Sequence, residues 1–194
     1  MSLTQTQLTE LPDVETCILA LGRGDTDYME PLYHQTSSAV FGFAISILKD
    51  RGHAEDVMQD TYIKIYEAAH TYRKTGKPLP WVFGITRNLS LMKLRSDKRL
   101  TTLPDEATLD AVMSDTAPLT YEETGLLTSL FGQLATDEQQ IIILSQLVGL
   151  KHREIADLLE MPLSTVLSRY RRALKKLERR YTEPLALFKE EPLS

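Results

Sequence analysis

The chain has 194 residues, with 22 Lys and Arg against 27 Asp and Glu and a formal net charge of −5. Its length suits one domain or two small ones, and 42 % hydrophobic with 25 % charged residues describes an ordinary globular chain, neither collagen-like nor disordered throughout. A single cysteine, Cys17, excludes an intramolecular disulfide and a thiolate zinc cluster, and the polar, acidic start from Met1 to Asp13 has no basic or apolar signal segment, so a cytoplasmic protein without metal or cofactor is expected.

Apolar residues recur at spacings of 3 and 4 through most of the chain and no alternating strand pattern persists, so the expected fold class is all-α. A first helix runs from Val14 to Leu21 and stops at Gly22-Arg23-Gly24. A second runs from about Asp25 to Lys49, with Leu32, Ala39, Phe43 and Ile47 at apolar positions, and ends near Gly52. The third, Ala54 to about Ala69, puts Val57, Met58, Tyr62, Ile65, Tyr66 and Ala69 on an inner stripe and Asp56, Gln59, Asp60, Ile63 and Glu67 on an outer, acidic one. Residues 1 to 72 carry four basic and eleven acidic residues.

The sign then reverses. Residues 73 to 99 hold eight basic residues and one acid, spread over a loop, His70 to Pro80, and a helix expected from Pro80 or Trp81 to about Arg99. In that helix Val82, Ile85, Leu89 and Met92 form the expected buried stripe, leaving Gly84, Arg87, Asn88, Leu91, Arg95 and Lys98 outside. Residues 100 to 118 contain four acids, two prolines and no base, which reads as a linker.

Beyond it, Thr120-Tyr121-Glu122-Glu123 and Thr136-Asp137-Glu138-Gln139 have capping-box spacing. The first box precedes the apolar face Leu126, Leu127, Leu130, Phe131 and Leu134, and the second opens a helix closing at Gly149. A short helix from about His152 to Glu160, a turn at Met161-Pro162-Leu163 and a last helix capped by Ser164 and running to about Tyr181 follow. Val166, Tyr170, Ala173, Leu174 and Leu177 should face inward there, with Thr165, Leu167, Ser168, Arg171, Arg172, Lys175, Lys176 and Arg179 largely outward. Short helix, tight turn and basic helix form helix-turn-helix geometry, whose second helix fits a DNA major groove. Its rival is a plain helical hairpin with a charged face. Thr182 to Ser194 is expected to be a disordered tail.

Three blocks now become informative together: His53-Ala54-Glu55-Asp56-Val57-Met58-Gln59-Asp60-Thr61-Tyr62; Pro80-Trp81-Val82-Phe83-Gly84-Ile85-Thr86-Arg87-Asn88-Leu89; and Gly149 through Glu154-Ile155-Ala156 to Ser164-Thr165-Val166-Leu167-Ser168-Arg169-Tyr170-Arg171-Arg172-Ala173-Leu174. In order and spacing this chain resembles the bacterial extracytoplasmic-function (ECF) sigma factors. The resemblance implies two helical domains: a region 2 bundle over 1–99, a linker over 100–118, a region 4 helix-turn-helix over 119–181, and a tail over 182–194. It implies a promoter-recognition subunit that binds core RNA polymerase, promoter DNA and an anti-sigma factor, with no small-molecule substrate and no enzymatic activity.

By position, the resemblance places core-polymerase docking on Asp56, Gln59, Asp60, Ile63 and Glu67. It places −10 DNA binding on the loop from Tyr72 to Leu79 and the helix after it, with Arg73, Lys74, Lys77, Trp81, Arg87, Asn88, Arg95 and Arg99. For −35 DNA binding it implies Ser164, Thr165, Leu167, Ser168, Arg169, Arg171, Arg172, Lys175 and Lys176. The chain departs from the family pattern at Ser164, where Gly is common, and at Leu167, where Lys is. Two rival readings stand beside this resemblance. A helix-turn-helix regulator would bind an operator as a dimer without polymerase. A di-iron enzyme needs more than the lone Glu67-x-x-His70 spacing found here.

Overall fold

The computed structural model describes residues 12–97 and 131–187. Seven α-helices occur among them: α1 (Val14–Leu21), α2 (Met29–Leu48), α3 (Arg51–Ala68), α4 (Pro78–Asp97), α5 (Thr136–Ile142), α6 (His152–Leu159) and α7 (Leu163–Leu187). Short 3-10 turns stand before α2 (Thr26–Tyr28) and after α3 (Ala69–Thr71), and a π turn, Ile143–Leu147, continues α5. No helix among the described residues is long and apolar enough to cross a membrane. The linker and the helix expected around Leu126 fall outside them.

Helix starts follow local chemistry. Asp13 caps α1 by accepting from the Thr16 N–H at 3.0 Å, and Asp50 caps α3 by accepting from the His53 N–H at 2.7 Å. The break between α2 and α3 therefore lies at Lys49, left-handed at φ 58°, and not at Gly52, which sits in the first turn of α3. Helix α4 begins at Pro78, earlier than expected, because both Pro78 and Pro80 fit a first turn whose N–H groups have no helical partner. Thr136 likewise follows the cap position, which Ala135 occupies while the Glu138 carboxylate accepts the Ala135 N–H at 3.0 Å. Where disorder was expected after Tyr181, the backbone of α7 continues helical to Leu187.

Helices α2, α3 and α4 pack on one another. Their contact surfaces use small or self-satisfied residues: Gly42, Ala44 and Ala54, with Ser46, Thr61, Thr86 and Ser90 each donating its hydroxyl to a carbonyl three or four residues back. Thr36 does the same to Leu32 at 2.7 Å, which leaves its oxygen to accept the Tyr62 hydroxyl, also at 2.7 Å. Phe43 and Phe83 meet edge to face with centroids 5.6 Å apart at the centre.

Two stripes differ from expectation. On α4 the buried line is Val82, Phe83, Thr86 and Ser90, while Met92 is 63 % exposed. On α3 the fully buried position beside Tyr62 is Thr61, and Tyr66 is 48 % exposed. The core extends past this bundle: α2 packs on α5 and the π turn, and α4 on α6, so Phe43, Val82 and Phe83 share one apolar cluster with Ile141, Leu144, Ile155 and Val166.

Helix α1 closes the bundle through a backbone contact. A Cβ on Gly22 would lie 2.7 Å from the Ala69 carbonyl oxygen, so α1 and the turn after α3 approach as only glycine permits. Gly22→Ala is expected to lower stability by about 1–3 kcal/mol through forced separation of these backbones. Urea unfolding at pH 7 measures this, and an unchanged midpoint would refute the contact.

Candidate nucleic-acid interface

Helix α6 ends at Glu160, left-handed at φ 56°, and α7 begins at Leu163 after two residues. The Pro162 carbonyl accepts the N–H groups of Thr165 at 2.9 Å and Val166 at 3.2 Å, so Ser164 lies within the first turn and does not cap it. Val166 and Ala173 are fully buried against α5 and α6. Ser164, Ser168, Arg171, Arg172 and Lys175 are exposed, with Thr165 and Leu167 half-buried beside them.

Two of the cations expected to face DNA on α7 have internal partners. Arg169 is ion-paired with Asp137, and Lys176 reaches Glu138 at 2.6 Å, where the Glu138 side chain is only 4 % exposed. Burial works to raise the Glu138 carboxyl, yet the Lys176 ammonium and the Ala135 N–H together hold it below the usual carboxylate range. These pairs tie α5 to α7 beside the apolar contact of Ile142 with Ala173.

In the first bundle, Asp56, Gln59, Asp60, Ile63 and Glu67 are all exposed on α3, as expected. Asp56 meets Lys93 of α4 at 3.4 Å and Glu67 meets Lys64 at 3.1 Å. Ile63, Tyr66 and Tyr33 add exposed apolar surface among these acids.

The loop leading into α4 exposes Arg73, Lys74 and Lys77, while Trp81 is half-buried with its ring edge-on to Tyr72 at 5.2 Å. Asn88 and Arg95 are exposed on α4; Arg99 lies outside the described residues. Lys77 and Arg87 point at the other unit: Lys77 pairs with Glu154 of α6 at 3.2 Å, and Arg87 with Glu160 at 3.1 Å and the Leu159 carbonyl at 3.5 Å. The Lys151 N–H, with Lys77 adding to it against burial, holds the Glu154 carboxyl low. That N–H bond, at 3.0 Å, also opens α6 where Lys151 offers no cap.

Sequence reasoning missed Glu15. From α1 its Oε1 accepts both the Tyr72 hydroxyl and the Gly76 N–H, each at 2.8 Å, so α1 anchors the basic loop. No local pattern signals this, because its partners lie 57 and 61 residues away.

A helical bundle with an acidic outer face, followed by a helix-turn-helix with a basic one, defines a two-unit helical protein of the helix-turn-helix class. Comparison with known families resolves the class. A Sigma-70 region 2 model matches residues 32–100 and a Sigma-70 region 4 model matches residues 124–177. The chain is 25 % identical over 183 residues to the ECF RNA polymerase sigma factor SigK of Mycobacterium sp. (strain KMS), covering 89 % of this chain and 95 % of that one. It is 28 % identical over 159 residues to the ECF RNA polymerase sigma factor SigM of Bacillus subtilis (strain 168), covering 78 % and 96 %. Among solved structures it resembles the sigma factor RpoE in complex with the anti-sigma factor NepR from Bartonella quintana, with a TM-score of 0.64 at 22 % identity over 81 % of this chain and 98 % of that one. CnrH in complex with the cytosolic domain of CnrY gives 0.58 at 22 % over 86 % and 96 %. The chain belongs to the ECF group of the sigma-70 family, the RNA polymerase sigma factors.

The Glu138 pair fixes the sign of a pH effect. A carboxyl held below its ordinary value of 4.5 stabilises the fold fully above that value and loses the contribution as pH falls through its folded value. Urea midpoints of the wild type are expected to fall as pH drops from about 5 to 3, with a shallower fall in Glu138→Gln. Identical slopes would show that this carboxylate is not held by its partners.

Proposed function

We propose that this sigma factor docks on core polymerase through the acidic α3 face and reads the two promoter elements with its two separate basic surfaces. The observation that carries the reading is the presence in one chain of a region 2 bundle and a region 4 helix-turn-helix. An operator-binding dimer has no use for the first.

In this reading the −35 element is met as duplex by Ser164, Thr165, Ser168, Arg171, Arg172 and Lys175. Arginines on the groove-facing side contribute phosphate contacts, and the short polar side chains at the helix start reach base edges. Arg169 and Lys176 act instead by holding α7 on α5, a support favoured by their ion pairs. The −10 element is met as an opened strand by the loop from Tyr72 to Leu79 together with Asn88 and Arg95. An extruded base costs a few kcal/mol of unstacking, which a pocket and a basic flank must offset. Lys77 and Arg87 join that surface once α6 releases them.

The domain limits proposed are 1–99 for region 2, 100–118 for an acidic linker and 119–181 for region 4. The role is non-catalytic and is exercised in the cytoplasm, where core polymerase works. Of the two solved structures described above, one holds the sigma factor RpoE with the anti-sigma factor NepR and the other holds CnrH with the cytosolic domain of CnrY, and we propose a partner of anti-sigma type here as well.

Gel filtration with core polymerase, then run-off transcription on genomic fragments, tests the reading; no complex with core would overturn it. Asp60→Arg reverses a docking charge and is expected to weaken core binding about tenfold without changing the unfolding midpoint. Asp60 suits this test better than Asp56, whose reversal would also repel Lys93. Arg171→Ala with Arg172→Ala should weaken duplex promoter binding and reduce its salt slope by up to about 2, read from holoenzyme titrations at several salt concentrations.

A further inference from the structure

We infer that Glu15 is a positioning residue for promoter opening: from α1 it holds the loop between Tyr72 and Pro78 in the shape that receives the unpaired −10 base. The inference rests on the assignment of that loop to the opened strand. Glu15 is not among the residues assigned above to core docking or to DNA, and its carboxylate joins α1 to the loop's tip.

The geometry is that of a clamp. One oxygen, Oε1, accepts from the Tyr72 hydroxyl at the loop's base and from the Gly76 N–H at its tip, both at 2.8 Å. These two anchors bracket Arg73, Lys74 and Thr75, whose side chains are exposed. Gly76 stands at φ +68° with nothing near a Cβ position, so its conformation is set by the backbone turn and this bond rather than by side-chain packing. The Tyr72 hydroxyl also lies 3.5 Å from the Thr75 hydroxyl, and its ring meets Trp81 edge-on. Fixing Tyr72 thus fixes both the floor of the loop and the half-buried aromatic at the start of α4. The carboxylate is held in its charged form chiefly by the Tyr72 hydroxyl, then by the Gly76 N–H, with burial opposing and the Lys74 charge assisting.

A loop of six residues, Tyr72 to Lys77, with a glycine near its tip samples many shapes when free, and each must be lost when a base is captured. A clamp that selects one shape beforehand removes that loss from the binding step. Its effect belongs to strand capture and not to core docking or duplex recognition. This separates it from a merely structural role.

The test uses holoenzyme reconstituted with core polymerase and a single-stranded oligonucleotide carrying the non-template −10 sequence of a start site mapped by run-off transcription. The base expected to be captured is replaced by 2-aminopurine, whose fluorescence reports unstacking. Glu15→Ala is expected to weaken strand binding about five- to tenfold, the loss of two charge-assisted hydrogen bonds, while core affinity and −35 duplex binding stay unchanged. Glu15→Gln, whose amide oxygen still accepts both bonds, should restore binding to within about twofold. Tyr72→Phe removes one bond without touching α1 and should weaken binding about two- to threefold; it decides the matter if Glu15→Ala fails to fold. Arg73→Ala with Lys74→Ala serves as the control on the loop itself. If that pair weakens strand binding and neither Glu15→Ala nor Tyr72→Phe does, the clamp is wrong and the loop assignment stands. If none of them does, both are wrong.

Discussion

Phe43 and Phe83 are both inaccessible to water, and their edge-to-face contact is where α2 and α4 cross. Everything outward of that crossing is set by it. The outer side of α2 and α3 is left for acids and scattered apolar residues, and the outer side of α4 for cations. The inner side continues without interruption into Ile141, Leu144 and Ile155 of the second unit. One apolar interior therefore serves two units that each present a basic surface, the first with an acidic face besides. Core burial of this kind is non-directional, so the ionic contacts around its edge determine how the units are oriented.

Those edge contacts have a specific character. Glu154 of α6 and Glu160 just past its end lie against Lys77 and Arg87, as phosphates of an opened strand would in the proposed function. In that proposal strand and helix would compete for the same two cations, and both ion pairs have at least one well-exposed member. Exposed pairs of this sort contribute roughly 0–1 kcal/mol each and weaken with salt, so they orient the units without locking them. The buried Lys176–Glu138 contact is different: it lies inside the helix-turn-helix unit, where rigidity serves recognition.

Most helices could be read from the sequence because spacing of 3 and 4 is a local property, and the exposed acidic face of α3 followed from the same count. Boundary positions could not. Met92 and Tyr66 each sit at the margin of an apolar stripe, and whether a marginal residue is covered depends on which neighbour lies across from it. The π turn after Ile142 has no sequence signature of its own. Arg169 and Lys176 have the residue type of DNA contacts and the spacing of α7's basic side, yet acids on α5 claim them. Glu15 was missed for the same reason in a stronger form: its role exists only once α1 is laid beside a loop far along the chain. Sequence periodicity tells which way a side chain leaves its own helix, and long-range pairing decides what it finds there.

Gly22 gives that pairing a mechanical meaning. It is the pivot at which α1 touches the turn after α3, and Glu15 stands seven residues up the same rigid rod, about 10 Å away at 1.5 Å per residue. A tilt of about 10° at the pivot would carry the carboxylate through about 2 Å, more than a 2.8 Å hydrogen bond tolerates. A missing side chain at one end of a short helix thereby bears on how a loop at its other end is held.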